Sequence, residues 1–231
     1  IANPGYPPYR HILKALGCEP VLIETGEATR WAVTPETVLA AHRKTPLAGL
    51  LVASPANPTG SVLSHDELRA LHAAVAARQG TLIVDEIYHG LTYGQPASTA
   101  LAVSDEIFVI NSFSKYFGMT GWRLGWLIAP EAYVDALDRL AQNLFLAAPT
   151  PAQHAALAAF APATLVILEA RRAEFQQRRD FLLPALRALG FEIPLAPEGA
   201  FYLYAGCSRL AEDSEVFARD VLQQAGVAIT P

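Results

Sequence analysis

Apolar residues in this chain come in short runs, and the intervals between the runs carry helical spacing. Leu47 to Ala53, Thr81 to Val84, Ile107 to Ile110 and Leu124 to Ala129 are apolar on both faces, the pattern of strands buried on both sides. Pro20 to Glu24 is a further apolar, β-branched run that predicts a strand. Helix signals lie between them. Tyr9 to Leu16 predicts a short helix stopped at Gly17. Thr34-Pro35-Glu36 reads as an N-cap, a proline at the first helical position and a first-turn acid, for a helix to about Arg43. Ser64 and Glu67 have capping-box spacing, and an Ala/Leu-rich helix follows to about Gln79 before Gly80. Strands alternating with helices predict an α/β fold, a mostly parallel sheet covered by helices on both faces.

The pattern changes beyond Pro130, which opens another helix. Ala152 to Leu189 is helical, and its charged middle, Glu169 to Asp180, predicts a long exposed helix leaving the sheet domain. Pro194 and Pro197 punctuate the link that follows. Gly199 to Tyr204 reads as a strand, Glu215 to Ala225 as a helix, and Val227 to Thr230 as the start of another strand. The expected division is a large domain over 1–160, then a connecting helix with an incomplete small α+β domain over 161–231. The chain opens at Ile1 without a methionine and stops at Pro231 just past an apolar run, so it reads as a piece of a longer protein.

Composition narrows the class. Hydrophobic residues make up 52% and charged residues 17%, which calls for a large buried core and excludes a disordered chain. A net charge of −5 with no basic run argues against a nucleic-acid surface. Cys18 and Cys207 lack metal or redox spacing and read as free thiols of a reducing compartment, so a cytoplasmic location is expected. The six histidines form no ligand-spaced pair, so no metal site is expected. No stretch has the length of a transmembrane helix and no signal peptide opens the chain, so no membrane partner is expected.

Candidate chemistry gathers just after the strands: Asn57, Asp85 with Tyr88, and the group from Ser112 to Lys115. In a parallel sheet these positions share the carboxyl edge, where ligands bind. A lysine amine is protonated in water, with a pKa of ~10.4, and burial or cationic neighbours free such an amine for Schiff-base formation. Arg123 follows Lys115 closely, and a guanidinium suits a phosphate. Ser112 and Ser114 add hydroxyl donors. Together they point to a carbonyl cofactor that carries a phosphate, pyridoxal 5'-phosphate (PLP). Asp85 follows Thr81-Leu82-Ile83-Val84 and is expected to be at least partly buried. A carboxylate there needs a partner, either a protonated pyridine nitrogen or backbone amides or an arginine. Asn57 carries two amide donors suited to a ring oxygen, and it also sits in an Asn-Pro-x-Gly loop that turn chemistry alone explains. Tyr6, amid prolines, reads by itself as a packing residue.

The run Ser112 to Gly125 resembles the PLP-lysine signature of class I/II aminotransferases, the aspartate-aminotransferase-like, fold-type-I family. The Ser-x-Ser-Lys lead-in, Gly118, Gly121, Arg123 and Gly125 fill its defining positions. Asn57-Pro58-Thr59-Gly60, Asp85-Glu86-Ile87-Tyr88 and Gly199-Ala200-Phe201-Tyr202 resemble further motifs of that family. The resemblance implies that Lys115 carries PLP as an aldimine and that Asp85 partners the pyridine nitrogen. It places Tyr88 and Asn57 on the ring oxygen, Tyr6 on the ring face, and Ser112, Ser114 and Arg123 on the phosphate side. It also implies cis peptides at Asn3-Pro4 and Asn57-Pro58. Glu86 fits neither cofactor role and reads as local structure. The implied activity is ping-pong transfer of an amino group from an L-amino acid to a 2-oxo acid, in a homodimer. The same motifs also suit a PLP-dependent C–S β-lyase, or an aminotransferase-like effector domain of a transcription regulator. No residue singles out the amino donor.

Overall fold

The computed structural model describes residues 1–231. Six strands form two sheets. β1 (Ala2–Asn3) and β2 (Ile23–Glu24) pair in parallel as a small ribbon. β3 (Gly49–Ala53), β4 (Thr81–Asp85), β5 (Phe108–Ser112) and β6 (Gly125–Ile128) form the main sheet in that order. The first three are parallel, and β6 returns antiparallel to β5. The helices are α1 (Pro7–Ala15), α2 (Pro35–Lys44), α3 (His65–Ala76), α4 (Glu131–Leu144), α5 (Thr150–Ala159), α6 (Pro162–Ala188) and α7 (Ser214–Ala225). The architecture is α/β with a mostly parallel sheet, as the alternation of runs predicts.

Local chemistry accounts for the helix starts. Thr34 Oγ1 accepts from Thr37 N and so caps α2. Ser64 Oγ accepts from Glu67 N at 3.3 Å, and the Glu67 carboxylate returns to Ser64 N at 2.8 Å, closing the box on α3. Asp213 caps α7 by accepting from Glu215 N and Val216 N. Caps of this kind contribute ~1 kcal/mol each.

One apolar cluster holds α2 and α3 against the sheet. Leu50, Leu68, Leu71, Leu82, Val84 and Val109 are among its most buried members. Each such side chain contributes roughly 1.5–3 kcal/mol through burial. The register places Val52 beside Val84 and Val84 beside Val109, and then Ala53 beside Asp85 and Asp85 beside Ile110. The carboxyl ends of β3, β4 and β5 therefore lie on one edge.

Several predicted elements differ. The run from Pro20 pairs only at Ile23 and Glu24, because β1 offers two partner residues. β5 continues through Asn111 and Ser112, since β6 pairs with both. The helical stretch after Ala152 is two helices, α5 and α6, bent by 81° at a break before Pro162. The predicted Gly199 to Tyr204 strand does not form. Gly199 makes a single antiparallel bridge to Thr92, and Ala200 then turns into the left-handed region at φ 59°. Val227 to Thr230 finds no pairing partner and stays irregular after Gly226 ends α7. No single helix is long and apolar enough to cross a membrane.

Candidate active site

Asp85 is the last residue of β4 and lies at the carboxyl edge, buried beneath α1. Two donors hold it. Tyr9 Oη donates to Oδ2 at 2.5 Å, and Ile87 N donates to Oδ1 at 3.0 Å. Burial pushes the Asp85 carboxyl up from its ordinary range, while the Tyr9 bond, the Ile87 amide and the charge of Lys115 pull it back. Burial, followed by the charge and hydrogen bond of Asp85, pushes the Tyr9 phenol far up. Tyr9 occupies the first turn of α1, which Pro7 and Pro8 start. Tyr6 meets Tyr9 edge-on, with ring centroids 5.3 Å apart. Asn3-Pro4 and Asn57-Pro58 are cis, and so is Ser54-Pro55.

Lys115 follows β5 by three residues and is half-buried. Its Nζ lies 5.8 Å from the centroid of the Tyr88 ring and 5.9 Å from that of Phe201. Tyr88 Oη and Tyr202 Oη share a hydrogen bond of 2.6 Å, and Asn57 Nδ2 donates to Tyr202 Oη at 3.4 Å. Burial, reinforced by Tyr202, pushes the Tyr88 phenol up. Lys115, Tyr88, Asn57 and Asp85 thus come together from three strand ends, as the sheet topology predicts.

The residues of the expected phosphate side bond within their own loop. Ser112 Oγ accepts from Ser114 N at 2.8 Å, and Ser114 O accepts from Thr120 Oγ1 at 2.5 Å. Arg123 sits at φ 54° and is exposed, with Nη1 donating to Thr120 O at 3.0 Å. Ser112 and Ser114 therefore shape the loop that leads to Lys115, while the Arg123 guanidinium closes its far side. No hydrogen bond joins Arg123 to Lys115, Asp85 or Tyr88.

Glu86 is local structure, as its sequence position suggests. It accepts from Ala100 N at 2.6 Å and Thr99 Oγ1 at 3.0 Å, fixing the 3₁₀ turn Ala100–Ala102. Its Oε2 also lies 3.2 Å from His89 Nδ1. Burial pulls His89 down to about 4, and its Nε2 has no partner.

Two residues of this cluster escape sequence reasoning. Tyr9 reads only as the start of a helix, and Tyr202 only as part of a strand motif. The Pro-Pro-Tyr and Gly-Ala-Phe-Tyr runs are the signals that could have marked them.

The donor set fits PLP. Each phenol of the Tyr88–Tyr202 pair has one hydrogen and the Asn57 amide has two, which makes four. The two bonds inside the cluster use two of them, which leaves two donors for an oxygen anion. The Asp85 carboxylate accepts one bond on each oxygen, which leaves a lone pair on each for an N–H⁺. A primary amine lies 5.8 Å from the Tyr88 ring centroid. The arrangement can bind an aromatic cation with a ring oxygen and present an amine to its carbonyl.

The sequence family described as "Aminotransferase class I and II" matches residues 1–231. The chain is 44% identical over 233 residues to a valine–pyruvate aminotransferase of Mycobacterium tuberculosis, covering all of this chain and 60% of that protein. It is 33% identical to an aspartate/prephenate aminotransferase of Thermus thermophilus, again over 60% of that protein. A crystal structure of an aminotransferase from Mycobacterium tuberculosis superposes with a TM-score of 0.94 at 45% identity, covering all of this chain and 59% of the other. The chain therefore spans about 60% of the length of the curated relatives it matches.

Proposed function

We propose that this chain, which belongs to the class I and II aminotransferase family, is the cofactor-holding part of a PLP-dependent aminotransferase. The observation that carries this reading is the placement of Lys115 Nζ over the Tyr88 ring, with the buried Asp85 on the same strand edge. When bound, PLP supplies an electron sink that lets the Cα–H bond of an amino acid ionise. The chain's own residues do the rest. Lys115 Nζ is the group that anchors the cofactor and then takes and returns the substrate's Cα proton. Asp85 holds a proton on the ring nitrogen, because a cation is the partner that a buried carboxylate favours most. Tyr88 and Asn57 donate to the ring oxygen. Tyr6 covers a ring face, and Ser112, Ser114 and Arg123 are assigned to the phosphate side.

In this reading residues 1–160 form the cofactor-binding unit and 161–231 the connecting helix and part of the second. The reaction is a ping-pong exchange between an L-amino acid and a 2-oxo acid, carried out by a homodimer in the cytoplasm. The 44% identity to a valine–pyruvate aminotransferase supports valine with pyruvate as the first pair to assay.

The test uses the full-length protein. It is loaded with PLP and reduced with borohydride, and the modified peptide is mapped by mass spectrometry. A pyridoxyl group on Lys115, absent from Lys115→Ala, together with alanine formed from valine and pyruvate, supports the reading. A folded protein without that adduct overturns it. An adduct without amino-group transfer to any 2-oxo acid overturns the transferase assignment alone.

A further inference from the structure

We propose that Tyr202 is a positioning residue of the cofactor site, contributed by the segment after α6 and fixed in place by the sheet domain. The proposal rests on the reading of Lys115 and Tyr88 given above. Tyr202 has more than a packing role. Its phenol is the one group bonded to both Tyr88 Oη, at 2.6 Å, and Asn57 Nδ2, at 3.4 Å. Its ring also meets the Tyr88 ring edge-on at 5.7 Å. A phenylalanine would fill the same space, but it would leave Tyr88 and Asn57 free to rotate away.

The backbone that carries Tyr202 is held on several sides. Tyr93 N donates to Glu198 O and Ala200 N donates to Leu91 O, at 2.8 and 2.9 Å. Gly199 N donates to Gly60 O at 2.9 Å, in the same loop as Asn57. Tyr93 Oη donates to Ala200 O. Gly199 lies so close to Pro55 that a Cβ would meet its Cγ at 2.6 Å. The left-handed φ of Ala200, costly for a residue with a Cβ, then turns Phe201 and Tyr202 toward Lys115.

The hydrogen inventory says what that work is. Within the phenol pair one hydroxyl hydrogen is used between the rings. With Tyr202 in place, the second remains available to the ring oxygen, and the Tyr88 rotamer that delivers it is fixed. Tyr202 thereby strengthens the donors that stabilise a negative ring oxygen.

The test compares the full-length wild type with Tyr202→Phe and Phe201→Leu, each loaded with PLP. The readouts are PLP dissociation, the pH midpoint of the bound cofactor's visible absorbance, and the thermal melt. For Tyr202→Phe the expected result is PLP affinity lower by roughly 5- to 10-fold, a single lost hydrogen bond. The absorbance midpoint rises by about half a unit, since a weakened donor favours the protonated cofactor. Phe201→Leu, which alters the ring packing but leaves the phenol pair in place, moves the midpoint less than Tyr202→Phe does. A second variant, 3-fluorotyrosine at position 202, keeps the shape but makes the phenol more acidic, and it moves the midpoint down. An unchanged midpoint in both Tyr202 variants, with the Lys115 adduct intact, overturns the assignment of Tyr202 alone. An equal shift in Phe201→Leu overturns it in favour of packing. Absence of the Lys115 adduct in the wild type overturns the cofactor reading and this proposal together.

Discussion

The Tyr9 phenol donates to the Asp85 carboxylate at 2.5 Å, joining the first turn of α1 to the carboxyl end of β4 across 76 residues of sequence. A hydrogen bond to a buried carboxylate is among the stronger kinds, because the alternative is a charged group with too few donors. Tyr9→Phe is expected to cost about 1.5–3 kcal/mol at neutral pH. A double-mutant cycle with Asp85→Ala, followed by urea unfolding, should recover most of that as coupling. A coupling energy near zero would show that the two side chains do not share a bond in solution.

Asp85 also sets one limb of the pH profile. Its folded-state pKa is raised, chiefly by burial. The stability tied to its protonated form is therefore fully present below the unfolded value of ~3.9 and is lost as pH rises through the folded value. Asp85→Asn removes this loss. The PLP-free variant should gain stability relative to wild type as pH rises from about 4 toward 7, read from urea midpoints across that range.

His89 acts in the opposite sense. Burial holds it down at about 4, so it stays neutral while an unfolded histidine would take a proton. Its stability contribution is present above the unfolded value near 6.5 and is lost as pH falls toward 4. The loss is at most about 3 kcal/mol. The Ser54 backbone opposes the depression, and Glu86 Oε2 lies 3.2 Å from Nδ1, so the figure is a ceiling. The downward direction stands because burial outweighs the opposing bond to the Ser54 backbone. His89→Gln should flatten the acid limb between pH 6.5 and 4, as followed by thermal melts.

Gly199 tests the frame around Tyr202. An added Cβ would meet Pro55 Cγ at 2.6 Å, Pro55 Cβ at 2.7 Å and Leu91 O at 3.0 Å. Neither a buried proline ring nor a backbone carbonyl yields easily. Gly199→Ala should cost about 1–3 kcal/mol in denaturant unfolding. It should also weaken PLP binding, which a purely local clash would leave unchanged.

Most of the sheet was legible because burial on both faces leaves unbroken apolar runs, and Asp85 and Lys115 stand out as charges at the ends of such runs. Their shared edge followed from parallel pairing. What was not legible is long-range. Tyr9 and Tyr202 reach Asp85 and Tyr88 across 76 and 114 residues, and neither carries a local sign of its partner. The Gly199 to Tyr204 run has strand composition, but only Thr92 is beside it to pair, and the backbone at Ala200 leaves the extended region. The antiparallel return of β6 was equally hidden, since the short connection from β5 is a loop built for Lys115 and nothing in the apolar run Leu124 to Ala129 states its direction.

The separation between Tyr88 and Tyr202 has a consequence for the order of assembly. Chains are synthesised at about 5–20 residues per second, so the 114 residues between these phenols delay Tyr202 by roughly 6–23 s after Tyr88 emerges. β3, β4 and β5 pair over much shorter distances in the sequence and are available to form during that interval. The polar cluster therefore reaches its final shape only after its supporting sheet can exist. A nascent chain has to leave Tyr88 and Asn57 to water until Tyr202 arrives.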